Sequence, residues 1–328
     1  MTLTLSAIII MIALVYGYVN GLTVSSTVVA TIISARALGP RTALLLAGFG
    51  TLLGPFLMGV AVANTLGTEL ISPPPSDPDL VIAALLGTTA WSLFAFGLRI
   101  PTSYSQTLVG SLIGATWISL GREAIVASGL IKALTGLFLS PVLGLIGGYL
   151  LFKLIYLMSA LASPRINRWF NQGQVLLSFL LAIAFGANDG QKVMAIISLG
   201  LVTTGFSSTF VIPFWVILIS AIAIGSGALI GGHRLIQMLG LRIYKIRPIE
   251  GFGAQLSASG VLLTASIVGA PVSGSQIVTM SIVGAGSADR LRKIRWLTVR
   301  HILIGWLVTM PSAMALSAAF YKLIEGVS

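Results

Sequence analysis

Residues 175–200 read VLLSFLLAIAFGANDGQKVMAIISLG, an apolar run with an acid, Asp189, near its middle and Lys192 three residues on. Such a run is long enough to cross a bilayer as a helix, which takes about 20 apolar residues. An ionisable side chain inside a span is costly and is read first as functional. Of the eight acidic residues, Asp189 alone lies deep within an apolar stretch; Glu69, Asp77, Asp79, Glu123, Glu250, Asp289 and Glu325 fall at loops, span edges or termini. Gly186 and Gly190 flank the acid and are expected to let the helix unwind locally and offer backbone groups as ligands. An Asp189–Lys192 ion pair in a helix seam is the competing reading. The glycines, with Asn188 and Gln191 beside them, favour a polar cavity.

The rest of the 328-residue chain has the same character: 56% of its residues are hydrophobic and 8% charged, against roughly 25% charged in a soluble domain. That excludes a soluble enzyme, a nucleic-acid module and a disordered scaffold. Net charge is +11, with 19 basic and 8 acidic residues. The basic residues fall in short loops: Arg36 and Arg41; Lys153, Arg165 and Arg168; Arg234, Arg242, Lys245 and Arg247; Arg290, Arg292, Lys293 and Arg295. This is the positive-inside pattern of a membrane protein facing anionic headgroups. With no cysteine, disulfides and thiolate chemistry are absent. No basic residue precedes Arg36, so Leu5–Val15 lacks the charged start of a cleaved signal peptide and reads as part of a first span. Apolar runs fall at about 5–35 (expected to be broken), 42–64, 80–99, 101–120, 124–152, 174–200, 208–231, 251–268, 271–288 and 300–322. Loop charge places both termini outside, with Arg99 and residues 153–173 inside.

The two halves are related. Residues 101–115, PTSYSQTLVGSLIGA, and 271–285, PVSGSQIVTMSIVGA, are identical at seven of fifteen positions, and Pro141 matches Pro311 at the same offset. Gly21–Ala30 aligns with Gly186–Ala195. The loop after each opening segment is inside in one half and outside in the other, so the repeats are expected to be inverted. In such proteins the binding site lies near the midplane between the halves. The expected fold is an all-α polytopic membrane protein of two inverted repeats with broken helices meeting at a midplane site. The first repeat is read as 1–162, a basic cytoplasmic linker as 163–173 and the second repeat as 174–328.

Each P-x-S-x-S-Q segment supplies hydroxyls, an amide and a proline suited to a helix's first turn. Two helix N-termini so furnished could hold one desolvated oxyanion. Serine and glutamine as interhelical glue is the alternative for any single residue. Gly50/Gly54 and Gly227/Gly231 read as close helix packing. His233 and His301 stand alone and read as interfacial, like Trp169 and Tyr321, and Lys132 can snorkel. The stretch RLIQMLGLRIYKI, 234–246, is basic and amphipathic, suited to the cytoplasmic membrane surface.

With GANDGQK (186–192), GAPVSGSQ (269–276), RIPTSYSQ (99–106) and WLVTMP (306–311), the chain resembles the inorganic phosphate transporter (PiT) family over nearly its whole length. The resemblance implies a secondary transporter, not an enzyme, that moves phosphate coupled to a proton or sodium gradient by alternating access. It implies that Asn188 and Asp189, with Thr27, serve cation or proton coupling. Ser103, Ser105, Gln106, Ser273, Ser275 and Gln276, with Gln191 and Lys192, would bind the anion. No cofactor is expected beyond a sodium ion at Asp189. The expected partners are phosphate or a similar oxyanion, a proton or sodium, the lipid bilayer and a second copy of the chain, with no nucleic acid. An inner (plasma) membrane location follows. The chain departs from the family pattern at Val24 and Thr27, where the resemblance implies an Asp and an Asn. Sulfate or a related oxyanion is therefore an alternative substrate, and a non-transporting partner or sensor an alternative role.

Overall fold

The computed structural model describes residues 2–72, 75, 77–98, 100, 102–159, 163, 165–231, 244 and 246–326. Arg99, Pro101, His233 and nearly all of the 234–246 stretch lie outside the described residues. The helices are α1 (Thr2–Ser34), α2 (Pro40–Leu57), α3 (Ala61–Asn64, continued by a π-turn Thr65–Glu69), α4 (Pro78–Leu98), α5 (Tyr104–Leu120) and α6 (Ala127–Met158) in the first half. The second half has α7 (Ile166–Thr203), α8 (Phe214–Ile230), α9 (Pro248–Ile267), α10 (Gly274–Asp289) and α11 (Trp296–Glu325). No β-strand occurs among the described residues. Six described helices are long and apolar enough to cross a membrane: α1, α2, α4, α6, α7 and α11. Proline at the start of α2, α4 and α9 sets the first helical turn where no backbone donor is needed.

Three expectations need correction. Both long helices run unbroken: α1 from Thr2 to Ser34 and α7 through Gly186 and Gly190. Residues 166–173, expected in the linker, form the first two turns of α7. The interruptions fall instead between α4 and α5 and between α9 and α10. There the chain turns back, so that each pair packs as a hairpin. Gly269 makes the second turn possible with φ of 73°, a left-handed conformation unfavourable for a side chain.

Packing exchanges helices between the halves. α1 lies on α8 and α7 on α2; α11 covers α4 and α5, and α6 covers α9 and α10. The four-helix contact is close because the seams are lined with glycine. A methyl group on Gly21 would collide with Ile224 O of α8, and one on Gly186 with Thr51 O of α2. Gly186 therefore serves close approach rather than unwinding. The outer helices α6 and α11 present Leu143, Ile146 and Leu150, and Leu303 and Leu307, outward, as lipid contact requires.

Two apolar cores form, one above the other along the long helices. One includes Val28 and Ile32 of α1 with Leu181 and Phe185 of α7; the other includes Ile9 and Tyr16 of α1 with Val193 and Ile196 of α7. Between them lie residues 20–23 of α1 and 186–192 of α7. Along α7 every residue from Leu181 to Leu201 is buried. The polar groups therefore sit in a layer between two apolar cores.

Candidate functional site at the junction of the two halves

Asn20, Thr23, Val24 and Thr27 recur at helical spacing and share one face of α1. They line one wall of a small cavity. Phe185 and Asp189 of α7, Tyr104 and Ser105 of α5, and Ser273, Gly274 and Ser275 at the start of α10 complete it. The cavity holds about 10 Å³, roughly room for one water molecule.

The two serine-rich segments meet here. Ser103 and Ser273 are the N-cap residues of α5 and α10, and Ser103 Oγ donates to Ser273 Oγ across the halves at 2.8 Å. Ser103 also accepts from the Gln106 backbone N–H at 3.2 Å, capping α5, whereas Ser273 makes no such bond in α10. Ser275 lies 3.4 Å from Ser273, hydroxyl to hydroxyl. Both helices thus aim their N-terminal ends, with their partial positive charge, at one junction. Pro271 stands two residues before the cap, in the extended segment, not in the first helical turn as its motif position suggested.

Asp189 forms a buried ion pair with Lys192 through Oδ1. The lysine ammonium also donates to Ser105 Oγ at 2.6 Å and to the Val272 carbonyl at 2.8 Å. Ser105 Oγ donates in turn to Val272 O at 2.6 Å. An ammonium has three donors, and all three are engaged within the protein.

Other expected site residues turn elsewhere. Asn188 donates to Ser266 Oγ (3.2 Å) and Ala270 O (3.3 Å), tying α7 to the end of α9 and the break that follows it. Gln191 Oε1 accepts from the Val62 and Ala63 backbone N–H groups at 2.7 and 3.4 Å. It satisfies the start of α3 and is not directed at the cavity. Gln106 and Gln276 line a separate cavity of about 300 Å³ with Phe138, Pro141, Met280 and Trp306. Thr27 lines the central cavity, and its hydroxyl donates to the Thr23 carbonyl at 3.0 Å. Sequence reasoning missed Asn20, Thr23, Tyr104 and the Val272 carbonyl. The helical spacing of polar residues at 20, 23 and 27, on one face of the first span, was the available signal for the first two. Tyr104 is held by Thr23, whose hydroxyl donates to the phenol oxygen at 3.1 Å.

Hydroxyl donors, two helix ends and one carboxylate in an enclosed layer form a set able to take an oxyanion. Asp189 could accept a hydrogen bond from a protonated one. Asp189 and the hard oxygens beside it, Ser105 Oγ and the Val272 carbonyl, also fit a sodium ion by donor chemistry.

A family model described as the phosphate transporter family matches residues 20–317. A relative from Rhizobium meliloti (strain 1021), described as a probable low-affinity inorganic phosphate transporter, is 34% identical over 315 residues, covering 95% of this chain and 94% of its own. One from Bacillus subtilis (strain 168), described in the same words, is 33% identical over 329 residues, covering 98% of each chain. A solved structure described as the sodium-dependent phosphate transporter superposes with a TM-score of 0.91 over 99% of this chain and 100% of that one, at 21% identity.

Proposed function

The chain belongs to the phosphate transporter family, and on that premise we propose that it is a secondary transporter carrying inorganic phosphate by alternating access, driven by a proton or sodium gradient. It is an integral multi-pass membrane protein and not an enzyme. The observation that carries the reading is the convergence of the Ser103 and Ser273 helix ends, one from each half, beside Asp189.

The anion sits between those ends. Ser103, Ser273 and Ser275 donate to its oxygens, Ser105 stays bonded to the Val272 carbonyl at the anion's edge, and the helix termini add positive potential. Asp189 accepts from the protonated oxygen of hydrogen phosphate and couples its movement to the driving cation. A cavity of about 10 Å³ is too small for a tetrahedral anion, so binding requires the α5 and α10 ends to part. The Ser103–Ser273 bond joins those ends. Parting toward one side of the membrane and then the other gives alternating access between two inverted halves. The basic loops face the cytoplasm and both termini lie outside the plasma membrane.

Purified protein in proteoliposomes should accumulate labelled phosphate down an imposed proton or sodium gradient, with each gradient tested alone. Excess unlabelled phosphate should suppress the signal and excess sulfate should not. Asp189→Asn should lower gradient-driven uptake by about tenfold or more. Uptake unchanged in that variant removes the proposed role of the carboxylate.

A further inference from the structure

Resting on the transport reading, we infer that Lys192 is a tethered cation: its ammonium fills a latent sodium subsite made by Asp189 Oδ1, Ser105 Oγ and the Val272 carbonyl. Transport then needs no sodium at this position.

The ligand set is the first observation. A carboxylate, a hydroxyl and a main-chain carbonyl are hard oxygen ligands that suit small hard cations. Carbonyls of unwound segments at helix breaks are what transporters use to coordinate sodium. Val272 lies in such a break, between α9 and α10. Ser105 gives its proton to Val272 O, so its lone pairs face Nζ and it acts toward the lysine as an acceptor only.

Saturation is the second. Lys192 is fully buried and its three donors have three acceptors. No donor is left to reach an anion in the cavity, so the ammonium serves the carboxylate as its counter-charge. Asp189 and Ser105 both line the cavity, which places the pair at the anion's edge. A packing pair in a helix seam would not bridge three elements from both halves.

The third is the contrast with α1. In the repeat alignment Val24 matches Asp189 and Thr27 matches Lys192. The first half lacks both the acid and the base, so the one carboxylate lining the cavity, Asp189, has its only fixed counter-charge among the described residues in Lys192 behind it.

The test uses the full chain. Wild type, Lys192→Ala and the double variant Asp189→Asn/Lys192→Ala are reconstituted, and phosphate uptake under a proton gradient is compared in sodium and in N-methylglucamine. Wild-type uptake should change less than about twofold, whereas Lys192→Ala should fall about tenfold without sodium and recover with it. In detergent, radioactive sodium should bind Lys192→Ala, and sodium should raise its melting temperature. Neither effect should appear in wild type or in the double variant. Sodium-dependent uptake by wild type, or a Lys192→Ala protein that neither binds sodium nor is stabilised by it, overturns the inference. If wild-type vesicles take up no phosphate, the transport reading fails. Sodium binding to Lys192→Ala still decides the subsite.

Discussion

The first turns of the site on α1 and on α7 are built alike and charged differently. Gly21 of α1 meets Gly227 of α8, and Gly186 of α7 meets Gly54 and Thr51 of α2, each at backbone-to-backbone distance. Beyond these glycines the chemistry diverges, to Val24 and Thr27 on α1 but Asp189 and Lys192 on α7. The same holds at the ends of the hairpins. Ser119 donates to Asp77 at 3.5 Å in the first half, and at the matching positions Asp289 accepts from Arg247 at 2.6 Å in the second. Helix crossing is preserved by backbone fit, which tolerates no added atom. Charge is free to differ wherever its partner differs too. Similar helix crossings here carry different charges.

The strongest way to break this contrast is to remove the charge on one side only. Asp189→Asn leaves the Lys192 ammonium buried without its carboxylate, a loss expected to cost about 3–5 kcal/mol. Thermal unfolding in detergent should show it. Adding Lys192→Met to that variant should restore most of the lost stability, because the pair is then replaced by neutral groups. Failure of the second substitution to help would mean that the loss arises elsewhere.

The geometric equality is tested next. Gly21→Ala and Gly186→Ala should each destabilise by about 1–3 kcal/mol through overpacking of a seam. Similar losses are expected at the two positions, and a large inequality would show that the seams are not equivalent. A smaller effect separates the two caps. Ser103→Ala removes both the cross-half bond and the α5 cap, while Ser273→Ala removes the same bond and only a long 3.4 Å contact to Ser275, with no cap. The first should be less stable than the second by about 1 kcal/mol, and both should weaken apparent phosphate affinity in uptake assays.

The smallest effect concerns the charged cluster at the hairpin end of the second half. Burial pushes the Asp289 carboxyl up, but hydrogen bonds from Lys293 and Arg247, with their charges, outweigh it and hold the group below the ordinary aspartate range. A depressed carboxyl stabilises the fold above its unfolded value, near pH 3.9, and the contribution is lost as pH falls through the lower folded value. Asp289→Asn should therefore cost about 0.5 kcal/mol at neutral pH, a difference that disappears in an acid melting series.

The transmembrane class and the burial of Asp189 were legible because apolar run length and a lone acid within such a run are local facts. The serine-rich pair was legible because it recurs. Side-chain direction was not. Gln191 adjoins the acid in sequence, yet its amide caps a helix start at Val62, and Asn188 ties down the break after α9. Gln106 and Gln276 share the serine motif but face another cavity, since each directly follows a cavity-lining serine, Ser105 or Ser275, and adjacent residues on a helix point to different faces.

By itself, then, the sequence determined that this chain lives in a bilayer, that a serine-rich segment recurs at 101–115 and 271–285, and that one apolar run holds a buried charge. Spacing and hydropathy record such things residue by residue. Only tertiary structure decided that both long helices stay unbroken, that Lys192 is spent on its neighbours, and that Asn20, Thr23 and Tyr104 share the cavity. Those outcomes depend on which distant backbone passes within hydrogen-bond reach, and glycine seams between helices from opposite halves set that approach.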